Sequence, residues 1–345
     1  MGTQVIGGMI PDPPWPAREA CAKWAHTNKG DLDSYPNLRE VHDDVVRRFS
    51  NIVFGSKYPG MMTSGATESN ILALLYWRKQ GKKRVVAFPH THYSVRKAAY
   101  ILGLEYVETD YAKLASKVKN SDVIVVTLGT TETGAVDPLN EIAELASRRG
   151  AVVHVDAAYY GTILRHSNRV ENIELGLDDT ISTMAVDLHK IPEAPPPAGV
   201  LYARDEDILE SLWFESPYLP GKRQFGLLGT RPGCAVYAAS ISLKLVVENW
   251  PSGPVGLARD LEKMVDNIVE ELEAVGYRGV GGPAPIRCLQ HEHIDRIIHN
   301  IEGMGYSVYK CLGRGIRIVA MPHHIWKGYR WMISILQRAA TKGAD

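Results

Sequence analysis

Apolar positions change their period along the chain, and each change marks a different kind of element. Leu38, Val41, Val45, Val46, Phe49 and Val53 recur at helical spacing, which predicts a helix over Leu38–Phe54 with one buried face. From about residue 58 to 206, short runs that are apolar throughout alternate with helix-length connections. The expected strands are Arg84–Phe88, Glu105–Glu108, Val123–Thr127, Val152–Val155, Thr180–Val186 and Ala198–Ala203. Between them, helices are expected at Thr67–Gln80, Ser94–Leu102, Tyr111–Lys119 and Leu139–Arg149. Strands without a polar face, separated by helices, fit an α/β fold whose mostly parallel sheet is covered on both sides. In such sheets ligands sit beyond the carboxyl ends of the strands.

The flanks read differently. Residues 1–36 are rich in Pro, Gly and Trp, with one helical stretch near Arg18–Thr27, and such an arm must pack on something else. Residues 207–231 are loop-rich, Cys234–Trp250 reads as a buried helix, and Pro251-Ser252-Gly253-Pro254 breaks it. An amphipathic helix over Leu257–Val275, a strand within Gly315–Met321 and a last helix near Tyr329–Ala340 follow. The expected division is an arm and linking helix (1–54), a large α/β domain (55–250) and a small C-terminal α+β domain (251–345).

Composition narrows the classes of partner. Across 345 residues, 39 Lys and Arg balance 39 Asp and Glu, which gives no basis for a nucleic-acid or anionic-membrane partner. No apolar run reaches membrane-spanning length, and the N-terminus lacks the pattern of a signal peptide. Cys21, Cys234, Cys288 and Cys311 lack paired spacing, so neither a disulfide framework nor a zinc cluster is expected, and the setting expected is a reducing cytoplasm.

Candidate chemistry gathers after the strands. Ser64-Gly65-Ala66-Thr67 opens a helix, where hydroxyls and free amides either cradle an anion or simply cap the helix. His90 and His92 follow a strand without a third ligand at metal spacing, which leaves a stacking or acid/base role for one ring. Thr131 lies in the turn after the Val123–Thr127 strand. Asp156 ends an apolar strand, where a carboxylate needs a cationic or hydrogen-bonding partner, and Ala157-Ala158 beside it leave room for a flat ring. Asp187, His189 and Lys190 end another, just before the proline-rich Ile191–Gly199 segment, and a lysine pinned there suits covalent chemistry on a carbonyl.

Taken in order, these stretches resemble the pyridoxal-phosphate-dependent enzymes of fold type I, within them the group II amino-acid decarboxylases, and most closely the archaeal tyrosine/aspartate decarboxylases. The resemblance runs from Asn28-Lys29-Gly30-Asp31 to Met321-Pro322-His323. It implies a seven-stranded type of sheet and pyridoxal 5'-phosphate as cofactor. It also implies that Lys190 is the Schiff-base lysine, with Ser64, Gly65, Ala66 and Thr67 as the phosphate cup and His189 as a further phosphate contact. His92 would stack on the pyridine ring, Asp156 would keep its nitrogen protonated, Ala158 would pack on the other face, and Thr131 would lie near its substituents. Thr230, in Gly229-Thr230-Arg231-Pro232-Gly233, resembles a residue that reaches a neighbouring subunit's phosphate, which implies an obligate homodimer. Tyr218 is similar to a catalytic-loop tyrosine that acts across that interface, and Arg317 to the arginine that holds the substrate's α-carboxylate.

The chain departs from this pattern at Leu188, where relatives carry proline, at Tyr160, where many carry glycine, and in the Glu193–Pro197 run. The activity implied is decarboxylation of L-aspartate, L-tyrosine or L-glutamate. The alternatives are a carbon–carbon lyase like sphingosine-phosphate lyase, a cysteine desulfurase, for which no cysteine stands in a suitable loop, and a cofactor-bearing protein without turnover. Lys222, Arg223, His323 and His324 are candidates for an acidic substrate side chain, and Trp15, Tyr93 and Tyr160 for an aromatic one.

Overall fold

In the computed structural model, residues 5–171, 173 and 175–342 are described. The chain begins with β1 (Val5–Ile6), α1 (Trp15–Lys23) and α2 (Pro36–Phe54). Proline opens α2, where its missing N–H costs nothing, and Gly55 closes it in the left-handed region at φ 73°. One stripe of α2, Leu38, Val45, Phe49 and Val53, is fully buried; each such side chain contributes about 2 kcal/mol of apolar burial. The arm finds its support in α8 (Cys234–Ser242), on which α1 packs, with Trp24 stacked on Tyr237 at 4.4 Å.

Next come β2 (Gly60–Thr63), α3 (Ala66–Lys79), β3 (Arg84–Ala87), α4 (Tyr93–Leu102), β4 (Glu105–Glu108) and α5 (Leu114–Lys117). They are followed by β5 (Asp122–Thr127), α6 (Leu139–Arg149), β6 (Val152–Asp156), β7 (Ile181–Asp187) and β8 (Gly199–Ala203). The seven strands lie in the order β2-β8-β7-β6-β5-β3-β4, all parallel except β8, which runs antiparallel to both neighbours. Both faces are covered: Val85, Ala87, Val123 and Val125 belong to one apolar cluster, and Val86, Ile124, Val126 and Val153 to the other. The register aligns Thr127 with Asp156, Asp156 with Ala185, and Asp187 with Gly199, so several polar strand ends meet at one edge of the sheet.

Two elements differ from expectation. The Tyr111–Lys119 helix reduces to a 3-10 turn and the single turn α5. Only Leu114 and Val118 are buried there, and the Asp122 carboxylate takes the Lys119 amide at 2.7 Å. β2 carries no strong strand signal and forms by pairing with β8. Within Cys234–Trp250, the α-helix passes into a π-helical turn at Leu243–Glu248.

After β8 come α7 (Glu206–Glu210), the hairpin β9 (Trp213–Glu215) and β10 (Arg223–Phe225), then α8 and α9 (Gly253–Glu273). The rest is β11 (Arg278–Val280), β12 (Ile286–Gln290), α10 (Ile294–Gly303), β13 (Ser307–Val308), β14 (Ile316–Val319), α11 (Pro322–Lys327) and α12 (Arg330–Thr341). Here the expectation of no disulfide is overturned, because Cys288 and Cys311 are bonded. Antiparallel pairing sets Cys288 opposite Arg317, and the Lys310–Ile316 bridge folds Cys311 back beside it. Gly315 makes room, since a Cβ there would sit 2.5 Å from the Cys288 sulfur. The cysteines therefore no longer argue for a reducing compartment. Among the described residues no helix is long and apolar enough to cross a membrane.

Candidate active site

A cavity of about 350 Å³ opens at the carboxyl ends of β2, β5, β6 and β7. Its lining includes Ser64, Gly65, Ala66 and Thr67. His92, Thr131, Asp156, Ala158, His189 and Lys190 line it as well. Ten of the thirteen residues to which the resemblance assigns a role thus share one space, with Asp187, Pro196 and Pro197 forming part of its wall.

Each side chain is held by a local device. Gly65 turns the chain from β2 into α3 at φ +100°, and a Cβ there would lie 3.1 Å from the His189 ring. Gly199 is needed because a Cβ would stand 2.8 Å from both the Asp187 carboxylate and the Gly65 Cα. Asp187 accepts from the Ala66 amide at 2.7 Å and pairs with Lys190 Nζ at 3.2 Å. The lysine is held by this ion pair, with its side chain 20% exposed, rather than by apolar burial. His189 donates Nδ1–H to the Ala198 carbonyl at 2.7 Å, which leaves Nε2 at 3.6 Å from Asp187. Ser64 Oγ is buried without a hydrogen-bond partner. The first amides of α3 have no intrahelical acceptor. An orphaned hydroxyl and a helix start beside a close-approach glycine fit a phosphate group.

Behind the cavity lies a buried polar network that the sequence reading passed over. Asn70, one turn into α3, donates through Nδ2 to Asp156 Oδ2 at 2.8 Å and to Ser94 Oγ at 2.9 Å. The Ala158 amide reaches the other Asp156 oxygen at 3.2 Å. His154 donates Nε2–H to Asn70 Oδ1 at 2.9 Å and accepts from the Thr183 hydroxyl at 2.9 Å. Complete burial lowers His154 to about 4, so it is neutral. The Ser94 amide donates to His92 Nδ1 at 3.4 Å and the Ser94 hydroxyl lies 2.8 Å from the same nitrogen, so Nδ1 accepts and the His92 proton sits on Nε2. Burial also lowers the His92 pKa, against the pull of Asp156. The available signal was a polar residue two positions before Asp156 in an apolar strand, on the same sheet face.

Three of the residues do not meet the cavity. Tyr218, in the β9–β10 turn, is 84% exposed, and Thr230 lies on an exposed loop. Arg317 is buried on β14, with Nε donating to the Gly7 carbonyl at 2.8 Å and Nη1 to the Thr131 carbonyl at 3.2 Å, so it touches the cavity wall from behind. Of the side-chain selectivity candidates only Tyr93 lines the cavity. Tyr160 is buried against Ser167 at 2.8 Å, Lys222 and Arg223 are exposed in the hairpin, His323 and His324 line a separate space, and Trp15 another. His90 is held outside by Asp137, whose hydrogen bond raises its pKa. Among the described residues no cluster of His, Cys, Asp and Glu could hold a metal.

The sheet order, the strand-end cavity and the lysine loop together define a pyridoxal-phosphate enzyme of fold type I. In overall structure the chain is similar to sphingosine-1-phosphate lyase of Burkholderia pseudomallei, with a TM-score of 0.83, 17% identity, and coverage of 97% of this chain and 85% of that one. Glutamate decarboxylase of Lactobacillus brevis gives a TM-score of 0.83 at 17% identity, covering 97% and 87%. Likeness at that identity speaks for the fold alone.

The chain belongs to the pyridoxal-dependent decarboxylases, since residues 19–229 match the pyridoxal-dependent decarboxylase conserved domain. It is 33% identical over 332 residues to the probable L-aspartate decarboxylase of Halobacterium salinarum, covering 93% of this chain and 91% of that protein. With the probable L-tyrosine/L-aspartate decarboxylase of Methanoculleus marisnigri it shares 31% over 340 residues, or 94% and 89% of the two chains. The protein is accordingly a pyridoxal-phosphate-dependent carboxy-lyase.

Proposed function

We propose that the protein removes the α-carboxylate of a small L-amino acid, L-aspartate or L-tyrosine foremost, with the cofactor attached to Lys190. The carrying observation is the convergence of Lys190, Asp156, His92 and the Ser64–Thr67 cup on one cavity. The choice of substrates is supported by the names of the archaeal relatives.

The Ser64–Thr67 cup and His189 would hold the cofactor's phosphate, and Lys190 its aldehyde carbon. When bound, the cofactor supplies an electron sink for the pair released at Cα. Asp156 would keep the ring nitrogen protonated, and its own position is fixed by Asn70 and the Ala158 amide. His92 and Ala158 line the space on which a flat ring would lie. Arg317 stands behind Thr131 and is the candidate to hold the substrate's α-carboxylate once it reaches past that wall; holding the carboxylate in one orientation selects which bond breaks. His92 and Tyr218 of a second copy are the two candidates to return a proton to Cα; for His92 the donor is the imidazolium, which burial disfavours and the Asp156 carboxylate favours.

Tyr218 and Thr230 are exposed and do not line their own chain's cavity, which supports a homodimer in which they serve the neighbour's. Fold alone does not separate this activity from carbon–carbon cleavage, because the lyase and the decarboxylase fit equally well.

Two measurements test the proposal. Borohydride should fix the cofactor to Lys190, as read by peptide mass spectrometry. Incubation with aspartate, glutamate, tyrosine and tryptophan separately should give an amine and CO₂ from aspartate or tyrosine. Attachment at another lysine, or no amine from any of the four, would overturn it.

A further inference from the structure

Beside the cup, outside the lining of the cavity, two buried cations have no role in the scheme above. Lys29, in the turn after α1, is 2% exposed, and its Nζ donates to the Thr63 carbonyl at 2.8 Å. Arg231 is 1% exposed; its Nη1 donates to the Met62 carbonyl at 3.2 Å, and its Nε has no partner. The pair thus grips the last two carbonyls of β2, the strand that delivers Ser64 to the cup.

Few charges answer them. Glu68 is the one carboxylate of the cluster, and it accepts from the Ser64 amide at 2.6 Å and the Leu227 amide at 3.3 Å. His42 accepts from the Met62 amide at 3.1 Å and its other ring nitrogen meets the exposed Asp43 carboxylate at 2.9 Å; burial lowers its pKa, so it adds no positive charge, and Asp43 is engaged by His42 rather than by either cation. The remaining titratable neighbour, Cys234, is pushed up to about 12 by burial and stays a neutral thiol. Two cations face one carboxylate in a dry interior, an arrangement that is costly unless a further anion completes it. Burial first, then the Arg231 charge, lowers Lys29 to about 7, which expresses the same excess of positive charge.

We propose that Lys29 and Arg231 form a positioning layer for the cofactor's phosphate, their excess positive charge being balanced when the dianion sits in the Ser64–Thr67 cup. This rests on the pyridoxal-phosphate site described above. A phosphate ester carries about −1.5 to −2 charge near neutrality. Through one thickness of β2 backbone its attraction to a buried cation is screened far less than at a surface. The layer also fixes the strand end from which the cup departs, so charge and geometry act together.

The layer has a pH signature. An anion in the cup favours the charged amine, so binding takes up a proton at Lys29. Affinity for the dianion is therefore highest below the free protein's value of about 7 and falls as pH rises through it. Without the anion the sign reverses. The unfolded chain holds the lysine proton up to about 10.5, so folding stability of the free protein rises with pH across that window.

The experiment compares wild type, Lys29→Met and Lys29→Arg as full chains freed of cofactor, titrated with pyridoxal 5'-phosphate and with unphosphorylated pyridoxal by visible absorbance. Lys29→Met replaces a buried charge with an apolar chain of similar length, so it should melt no lower than wild type at pH 7. The expected result is about tenfold weaker binding of pyridoxal 5'-phosphate with pyridoxal affinity within about twofold, a shallower fall of phosphate affinity above pH 7, and substantial recovery in Lys29→Arg. Equal losses for both ligands would show general damage, and no loss for either would show an inert lysine; each outcome overturns the proposal. Failure of the wider assignment looks different: wild type itself would show no visible band, or Lys190→Ala would show an undiminished one.

Discussion

The strand-end side of the cavity, proposed to hold the cofactor, and the side that would meet a substrate or a second subunit are built in different ways. Ser64–Thr67, His92, Asp156 and Lys190 all stand within three residues of a strand end or a helix start, and the sheet register brings those ends together. Tyr218 and Thr230 instead stand on exposed loops, and Arg317 reaches the wall only through the Thr131 carbonyl. The strand-end part of the site is assembled within one chain, because the sheet that makes the fold also brings these residues together. The other half depends on a partner or on the packing of the small C-terminal sheet.

The sharpest way to break this contrast is to remove the lysine. Lys190→Ala should abolish covalent attachment and reduce turnover to background, while the Ser64–Thr67 cup and His189 still bind the phosphorylated cofactor noncovalently. Visible absorbance and dialysis would check both. A normal band in this variant would falsify the cofactor-side account entirely. Asp156→Asn should keep the cofactor bound yet cost about 10²–10³-fold in kcat, since the electrostatic support at the ring nitrogen is lost. An unchanged kcat would remove Asp156 from that role.

The substrate side is tested by mixing. Tyr218→Phe is expected to lower kcat by about 10²-fold. If Tyr218 serves the neighbour's cavity, co-expressed Tyr218→Phe and Lys190→Ala chains should recover about a quarter of wild-type activity, because half of the randomly formed two-fold dimers then carry one intact site. Activity no higher than that of the separate variants would place the tyrosine in its own chain's cycle or outside it.

The same division explains what could be read from the chain alone. Apolar strands ending in Asp156 and Asp187, and a hydroxyl-rich helix start at Ser64, are local signals, so the sheet and the strand-end lining of the cavity were legible. β2 was not, because Gly60–Thr63 becomes a strand only by lying against β8. The Cys288–Cys311 bond was invisible for a related reason: it depends on the β12–β14 pairing and on a chain reversal across 23 residues. Tyr160, which the sequence could place near an aromatic substrate, turns away to Ser167, a matter of orientation that no spacing reveals.

Asn70 and His154 stand between these cases, since each is a polar residue in an apolar setting whose partners only the fold supplies. Asn70→Leu would leave Asp156 Oδ2 and His154 Nε2 buried without their partner, a loss of about 1–3 kcal/mol per group. The expected outcome is a roughly tenfold fall in kcat, with substrate KM little changed because the network touches no substrate atom. His154 adds a pH dependence. It titrates near 6.5 when unfolded and near 4 when folded, because burial excludes the charged ring. Between those values the unfolded chain binds a proton that the folded chain does not, so stability is full above pH 6.5 and declines as pH falls towards 4, by about 3 kcal/mol in all. Urea unfolding at pH 7, 5.5 and 4.5 should show this decline in wild type and a shallower one in His154→Gln. Equal slopes in the two proteins would mean that the imidazole is not held neutral behind Asp156, and the rigid backing of the cofactor wall would have to come from elsewhere.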